Sequence, residues 1–85
     1  MISLNKLFVG NLPYTVTDSE LGQKFSEYGK VSEAIIIMDR MSGRSKGFGF
    51  VTFESVDDAK KATAELNGKD YQGRNMVVSE ARPRV

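Results

Sequence analysis

The sequence predicts an α+β domain, a two-layer sandwich in the order βαββαβ with both helices on one face of a four-stranded sheet. Three observations carry that expectation. Two segments combine a helix-start signal with a helical apolar stripe. Four segments are short and β-prone. The whole chain is only 85 residues long, so two helices can cover one face of such a sheet and not both.

The elements follow in order. Lys6 to Val9 alternates and ends at Gly10-Asn11, with Pro13 beyond, and reads as a strand. Thr17-Asp18-Ser19-Glu20 fits a capping box. Leu21, Phe25 and Tyr28 then recur on one helical stripe, and Gly29 is expected to close the helix in the left-handed conformation. Val31 to Met38 is rich in β-branched residues and reads as the second strand. Asp39 to Ser45 is polar and reads as a loop, and Lys46 to Phe53 as the third strand. Ser55-Val56-Asp57-Asp58 opens a second helix with acids in its first turn, where the helix dipole favours them. Its stripe, Val56, Ala59, Ala62, Thr63 and Leu66, is mostly small, which suggests close packing on the sheet; Asn67-Gly68 ends it. After the turn-like Tyr71-Gln72-Gly73-Arg74, Met76 to Ala81 is the fourth strand.

Composition narrows the chemistry. The chain has no cysteine and no histidine, so it lacks thiol nucleophiles, Ser-His and Cys-His pairs, and the usual zinc ligand sets. No metal and no cofactor is expected. With 40% hydrophobic and 27% charged residues the chain reads as a globular protein, expected to be a monomer with one core. The longest apolar run, Ala34 to Met38, is too short to cross a bilayer. The first six residues lack a signal-peptide stretch, so the cytosol is the expected compartment. Net charge is only +1, but it is unevenly spread. Arg40, Arg44 and Lys46 face a single acid, Asp39, in the loop and third strand, and Arg82 and Arg84 form a short basic tail. Acids prevail from Val51 to Asp70. One basic face and an acidic back would suit a polyanion.

Side chains alternate along a strand, so parity sorts them by face. In Lys46 to Phe53 the even positions are Lys46, Phe48, Phe50 and Thr52; the odd ones, Gly47, Gly49, Val51 and Phe53, include nothing polar. Burying Lys46 unpaired would be costly, so the odd set should face the helices and Phe48 and Phe50 should lie on the open face. Lys6 and Phe8 obey the same test against Leu7 and Val9. Gly47 and Gly49 weaken a strand, and close approach of a helix would offset that. Exposed rings beside lysines suit unstacked bases and their phosphates, which points to a single-stranded nucleic acid.

These residues resemble a known family. Leu7-Phe8-Val9-Gly10-Asn11-Leu12 is similar to the hexamer motif of the RNA recognition motif family. Lys46-Gly47-Phe48-Gly49-Phe50-Val51-Thr52-Phe53 is similar to its octamer at every specified position. The resemblance extends through Asp39 to Arg44, Leu66-Asn67-Gly68 and Gly73-Arg74, and covers nearly the whole chain, with a core of about 5–81 and a tail of 82–85. It is strongest to small single-domain RNA-binding proteins of bacteria and cyanobacteria; a glycine-rich plant or animal protein without its tail is the other candidate source.

The resemblance implies a ferredoxin-like fold with a four-stranded antiparallel sheet in the order 4-1-3-2. It implies that Phe8 and Phe50 each stack under a base, that Phe48 wedges against two sugars, and that Lys46 pairs with the phosphate between them. On the second strand it places Glu33, Ile35 and Ile37 on the RNA face, which parity alone leaves open. On the last strand it places Val77, Ser79 and Ala81 there. Lys6, Arg40, Arg44, Arg82, Arg84, Asn11 and Tyr14 are flanking candidates.

Rival readings remain at this level. A cold-shock barrel carries a similar Lys-Gly-Phe-Gly-Phe run and binds single-stranded DNA or RNA, but two capped helices argue against a five-stranded barrel. Small phosphate-handling hydrolases can share the scaffold, yet Gly10-Asn11-Leu12-Pro13 offers too little backbone and charge for a phosphate cradle. Gly47-x-Gly49 lies inside a strand and is no dinucleotide fingerprint, so no enzyme is expected. A protein partner on the sheet or on the acidic helical face is the third alternative.

Overall fold

The computed structural model describes residues 5–81. Strands β1 (Lys6–Gly10), β2 (Val31–Met38), β3 (Ser45–Phe53) and β6 (Val77–Glu80) form one sheet, and helices α1 (Asp18–Ser26) and α2 (Val56–Leu66) pack on it. A two-residue pair, β4 (Asp70–Tyr71) and β5 (Arg74–Asn75), forms a separate hairpin. The sheet order is β2-β3-β1-β6, and every pairing is antiparallel. This is the expected 4-1-3-2 arrangement with the last strand as β6. The hairpin replaces what reads in the sequence as a plain turn.

Local signals set both helix starts. The Thr17 hydroxyl accepts the Glu20 amide at 3.2 Å, and the Glu20 carboxylate accepts the Thr17 amide at 3.3 Å, which completes the capping box. Ser55 caps α2 by accepting the Asp58 amide at 3.5 Å. The end of α1 departs from expectation. The helix stops at Ser26 with Glu27 as its right-handed cap, and Gly29 does not adopt positive φ. Gly29 instead lies against Asp58 of α2, where a Cβ would collide with that side chain. Close approach of the two helical segments, not a left-handed turn, requires glycine there.

The core lies between the helices and one face of the sheet. Leu7, Val9, Val51 and Phe53 from the central strands meet Leu21 and Phe25 of α1 and Ala59, Ala62 and Leu66 of α2. Phe25 and Phe53 meet with ring centroids 6.3 Å apart. Fully buried Ala59 and Ala62 bring α2 close to the sheet, as their size suggests, whereas Val56, at the start of the stripe, is exposed.

One amide on each edge strand of the sheet is capped by a side chain. On β2 the Ile36 amide donates to the Asp18 carboxylate at 2.7 Å, and on β6 the Val78 amide donates to the Asn67 side-chain oxygen at 3.0 Å. Edge amides left bare would be a template for another strand. Asp18 and Asn67 thus act beyond their roles at helix ends.

Candidate nucleic-acid interface

Strand pairing settles which residues share the open face, because directly paired residues in an antiparallel sheet point to the same side. Phe8 pairs with Phe50 and with Ser79, and Phe50 pairs with Ile35. A single row, Ser79–Phe8–Phe50–Ile35, therefore crosses all four strands. Beside it runs Lys6–Thr52–Glu33. On the other face Leu7 and Val51 pair, and Val51 pairs with Ala34, all turned toward the helices. The β3 pattern alternates as parity requires: Gly47, Gly49, Val51 and Phe53 are buried, Lys46 is exposed, and Phe48, Phe50 and Thr52 are half-buried. Ile35 and Ile37 are half-buried and Glu33 is exposed, while Ile36 joins the core.

The three open-face rings form a triangle. Phe8 lies 5.6 Å from Phe48 and 5.9 Å from Phe50, and Phe48 lies 6.4 Å from Phe50, with interplanar angles of 35°, 67° and 90°. None of the three pairs is a parallel stack, so the rings support one another by tilted and edge contacts. Gly10, next on the same face of β1, makes room for Phe8: a Cβ there would sit 2.8 Å from the ring. The Lys6 ammonium lies 4.9 Å from the Phe50 centroid, within cation–π range. Lys46, expected beside the rings, borders Phe48.

The two strand glycines answer to neighbours other than a helix. A Cβ at Gly49 would collide with the Ile35 carbonyl of β2. At Gly47 the register shifts: between the Ile36–Gly49 and Met38–Ser45 pairs, Ile37 alone on β2 lies opposite Lys46, Gly47 and Phe48. Gly47 takes φ +84 there, a left-handed conformation that glycine adopts without penalty. Its amide is held by the Ser45 hydroxyl at 3.0 Å, and its carbonyl accepts the Leu12 amide at 2.8 Å. Lys46 and Phe48, on either side of Gly47, line a hollow with Asn11, Leu12 and Tyr14 of the loop between β1 and α1.

The flanking candidates separate. Arg44 lines a hollow of about 590 Å³ together with Tyr14, Asp39, Ser42, Lys46 and Phe48. The loop carrying it is closed by the Asp39 amide on the Arg44 carbonyl at 2.7 Å. Arg40 is exposed on the same loop but does not line that hollow. Ala81 follows β6, half-buried, with its amide on the Lys6 carbonyl at 2.8 Å. Val77 is exposed beside Gly10. Asn11 adopts φ 56 and donates its side-chain amide to the Asn75 carbonyl at 2.7 Å, so it ties the β1–α1 loop to the β4–β5 hairpin. Arg82 and Arg84 lie outside the described residues.

One pairing was invisible to strand parity. Tyr14, from the β1–α1 loop, and Arg74, from the hairpin, meet with the guanidinium carbon 5.7 Å from the ring centroid. The available signal was an aromatic residue in a polar loop, Tyr14, which is 64% exposed. In the sequence Arg74 stands out only as part of the turn-like Gly73-Arg74, and sixty residues separate it from Tyr14.

Comparison with known proteins gives a consistent result. A family model described as RNA recognition motif matches residues 7–77. The chain is 51% identical over 78 residues to small RNA-binding protein 11, chloroplastic, of Arabidopsis thaliana, covering 92% of this chain and 53% of that protein. It is 55% identical over 80 residues to the 29 kDa ribonucleoprotein, chloroplastic, of the same plant, covering 94% of this chain and 23% of the other. It therefore spans about half or less of these curated relatives. Among solved structures, the crystal structure of RNA binding protein PG1 superposes with a TM-score of 0.89 at 44% identity, covering 94% of this chain and 96% of that one. The chloroplast relatives do not fit the plain cytosolic expectation drawn from the first six residues.

Proposed function

The chain belongs to the RNA recognition motif family, and from that premise we propose that it binds short single-stranded RNA on the open face of its sheet, without chemistry. The observation that carries this reading is the Ser79–Phe8–Phe50–Ile35 row, with half-exposed rings on the face that no helix covers. A base already stacked in a duplex has no face to offer, whereas an unstacked base gains about 1–3 kcal/mol on an aromatic ring.

In this reading Phe8 and Phe50 each take a base, Phe48 meets the sugars between them, and Lys46 pairs with the intervening phosphate. Lys6, Ser79, Ala81, Glu33, Ile35 and Ile37 border the bases. Arg44, Arg40 and the tail arginine Arg82 supply outlying charge, and Asn11 holds the rim. Residues of about 5–81 act as one binding unit, as a monomer, in an aqueous compartment of the cell or of an organelle. The relatives' printed names, RNA-binding protein and ribonucleoprotein, support RNA as the ligand class.

The test is fluorescence anisotropy with labelled oligoribonucleotide pools, run beside the matching DNA pools. Phe8→Ala and Phe50→Ala should each weaken RNA binding by about 1–3 kcal/mol while far-UV circular dichroism stays that of the parent. Unfolding by either substitution would overturn the face assignment. Equal affinity for DNA and RNA pools would widen the ligand class to single strands in general.

A further inference from the structure

We propose that the outer edge of β2, together with a hollow beside α1, is a docking surface for a second copy of this chain, and that the Asp18 carboxylate keeps it shut in the monomer. The surface lies away from the aromatic platform and stands independently of what the platform binds.

The two edges of the sheet differ. On β6 the Val78 amide goes to Asn67, and just before it Met76 bonds the Lys69 carbonyl at 2.9 Å and the Gly68 amide at 2.8 Å. That edge is closed by its own chain. On β2, eight residues long, the Ile36 amide points outward to Asp18 at 2.7 Å; among the described residues no other outward amide of this strand is met by a side chain. Bonding direction alternates along a strand, so Ala34 and Met38 face outward with Ile36, and the Asp39 amide turns inward to the Arg44 carbonyl. Ala34 to Met38 carries no charge and no proline, the residues that commonly blunt an edge. A single carboxylate stands where a strand could add.

Self-complementarity identifies the occupant. Met38, at the end of β2, is 52% exposed and lies on the helical side of the sheet, where it lines a hollow with Val16, Asp18 and Ile36. At the start of the same strand a hollow of about 620 Å³ opens against α1, lined by Gly22, Ser26, Lys30 and Val31 among others. Its one charged lining residue, Lys30, sits 3.7 Å from the Glu54 carboxylate, which leaves a space suited to an apolar side chain. Two β2 edges paired antiparallel about a twofold axis bring the Met38 of each copy beside the other's Val31, so each knob meets a hollow. The uncharged run lies against itself without like-charge repulsion. Because both β2 edges are then paired and the β6 edges are closed, the assembly stops at a dimer. Pairing needs the Ile36 amide, which the monomer commits to Asp18.

The experiment is sedimentation equilibrium over a concentration series, with far-UV circular dichroism as the check of folding. The parent should be monomeric, and Asp18→Asn, which keeps a side-chain oxygen for the amide, should match it. Asp18→Ala leaves the Thr17–Glu20 capping box in place and should raise the dimerisation constant by about 10-fold or more, the factor for one hydrogen bond to a charged group. Adding Met38→Lys to Asp18→Ala should restore the monomer. Asp18→Ala that stays monomeric with a parental spectrum, or a dimer that survives Met38→Lys, overturns the docking surface. Equal dimerisation by the parent and Asp18→Ala overturns the guard. If Asp18→Ala fails to fold, Asp18→Ser, with a shorter side chain, takes its place under the same outcomes.

Discussion

Phe50 and Phe53 stand three residues apart on β3, and the pleat sends them to opposite sides of the sheet. Phe53 is fully buried and packs on Phe25 of α1. Phe50 remains half-exposed beneath the Lys6 ammonium and edge-on to Phe8 and Phe48. Side chains of one kind thus serve two ends, and the difference lies in what covers them. On the helical face, van der Waals contact and loss of water stabilise the fold. On the open face the same apolar area is held partly in water, a condition that a sizeable apolar patch on a soluble protein tolerates when a ligand uses it.

The contrast between the two faces can be broken most strongly at Phe53. Phe53→Ala should cost about 3–5 kcal/mol of stability by denaturant unfolding, against a loss confined mainly to binding at Phe50. Comparable destabilisation at both positions would erase the distinction. A smaller effect is expected at Gly49. Gly49→Ala drives a methyl into the Ile35 carbonyl of β2 and should cost about 1–3 kcal/mol of stability, since neither backbone can yield freely. The smallest effect belongs to Lys46→Ala, which should leave unfolding unchanged and flatten the salt dependence of RNA binding by about 0.7 in log–log slope. A loss limited to one base identity would contradict a phosphate role for that lysine.

Much of this arrangement was legible in the linear chain because the signals are short-range. The Thr17–Glu20 box lies within one helical turn, and the alternation of Lys46 to Phe53 depends only on the pleat. Parity could not orient β2, where Ala34 to Met38 is apolar without a break; the Ile35–Phe50 pairing oriented it. The β4–β5 hairpin shows in the linear chain only as its turn, Tyr71 to Arg74, because two-residue strands carry no periodicity. Gly29 and Gly49 each answer to a neighbour distant in sequence, Asp58 and Ile35, and Gly47 to a positive φ where the register with β2 shifts.

Residue order alone therefore specified both helix starts, the order of the six main elements, and which rings of β1 and β3 share a side, since these follow from backbone geometry over a few residues. The edge-covering bonds of Asp18 and Asn67, the row of paired residues across four strands, and the meeting of Tyr14 with Arg74 came from folding in three dimensions. They depend on register and on loops closing across the sheet, and no local pattern encodes the distance between residues that far apart in the chain.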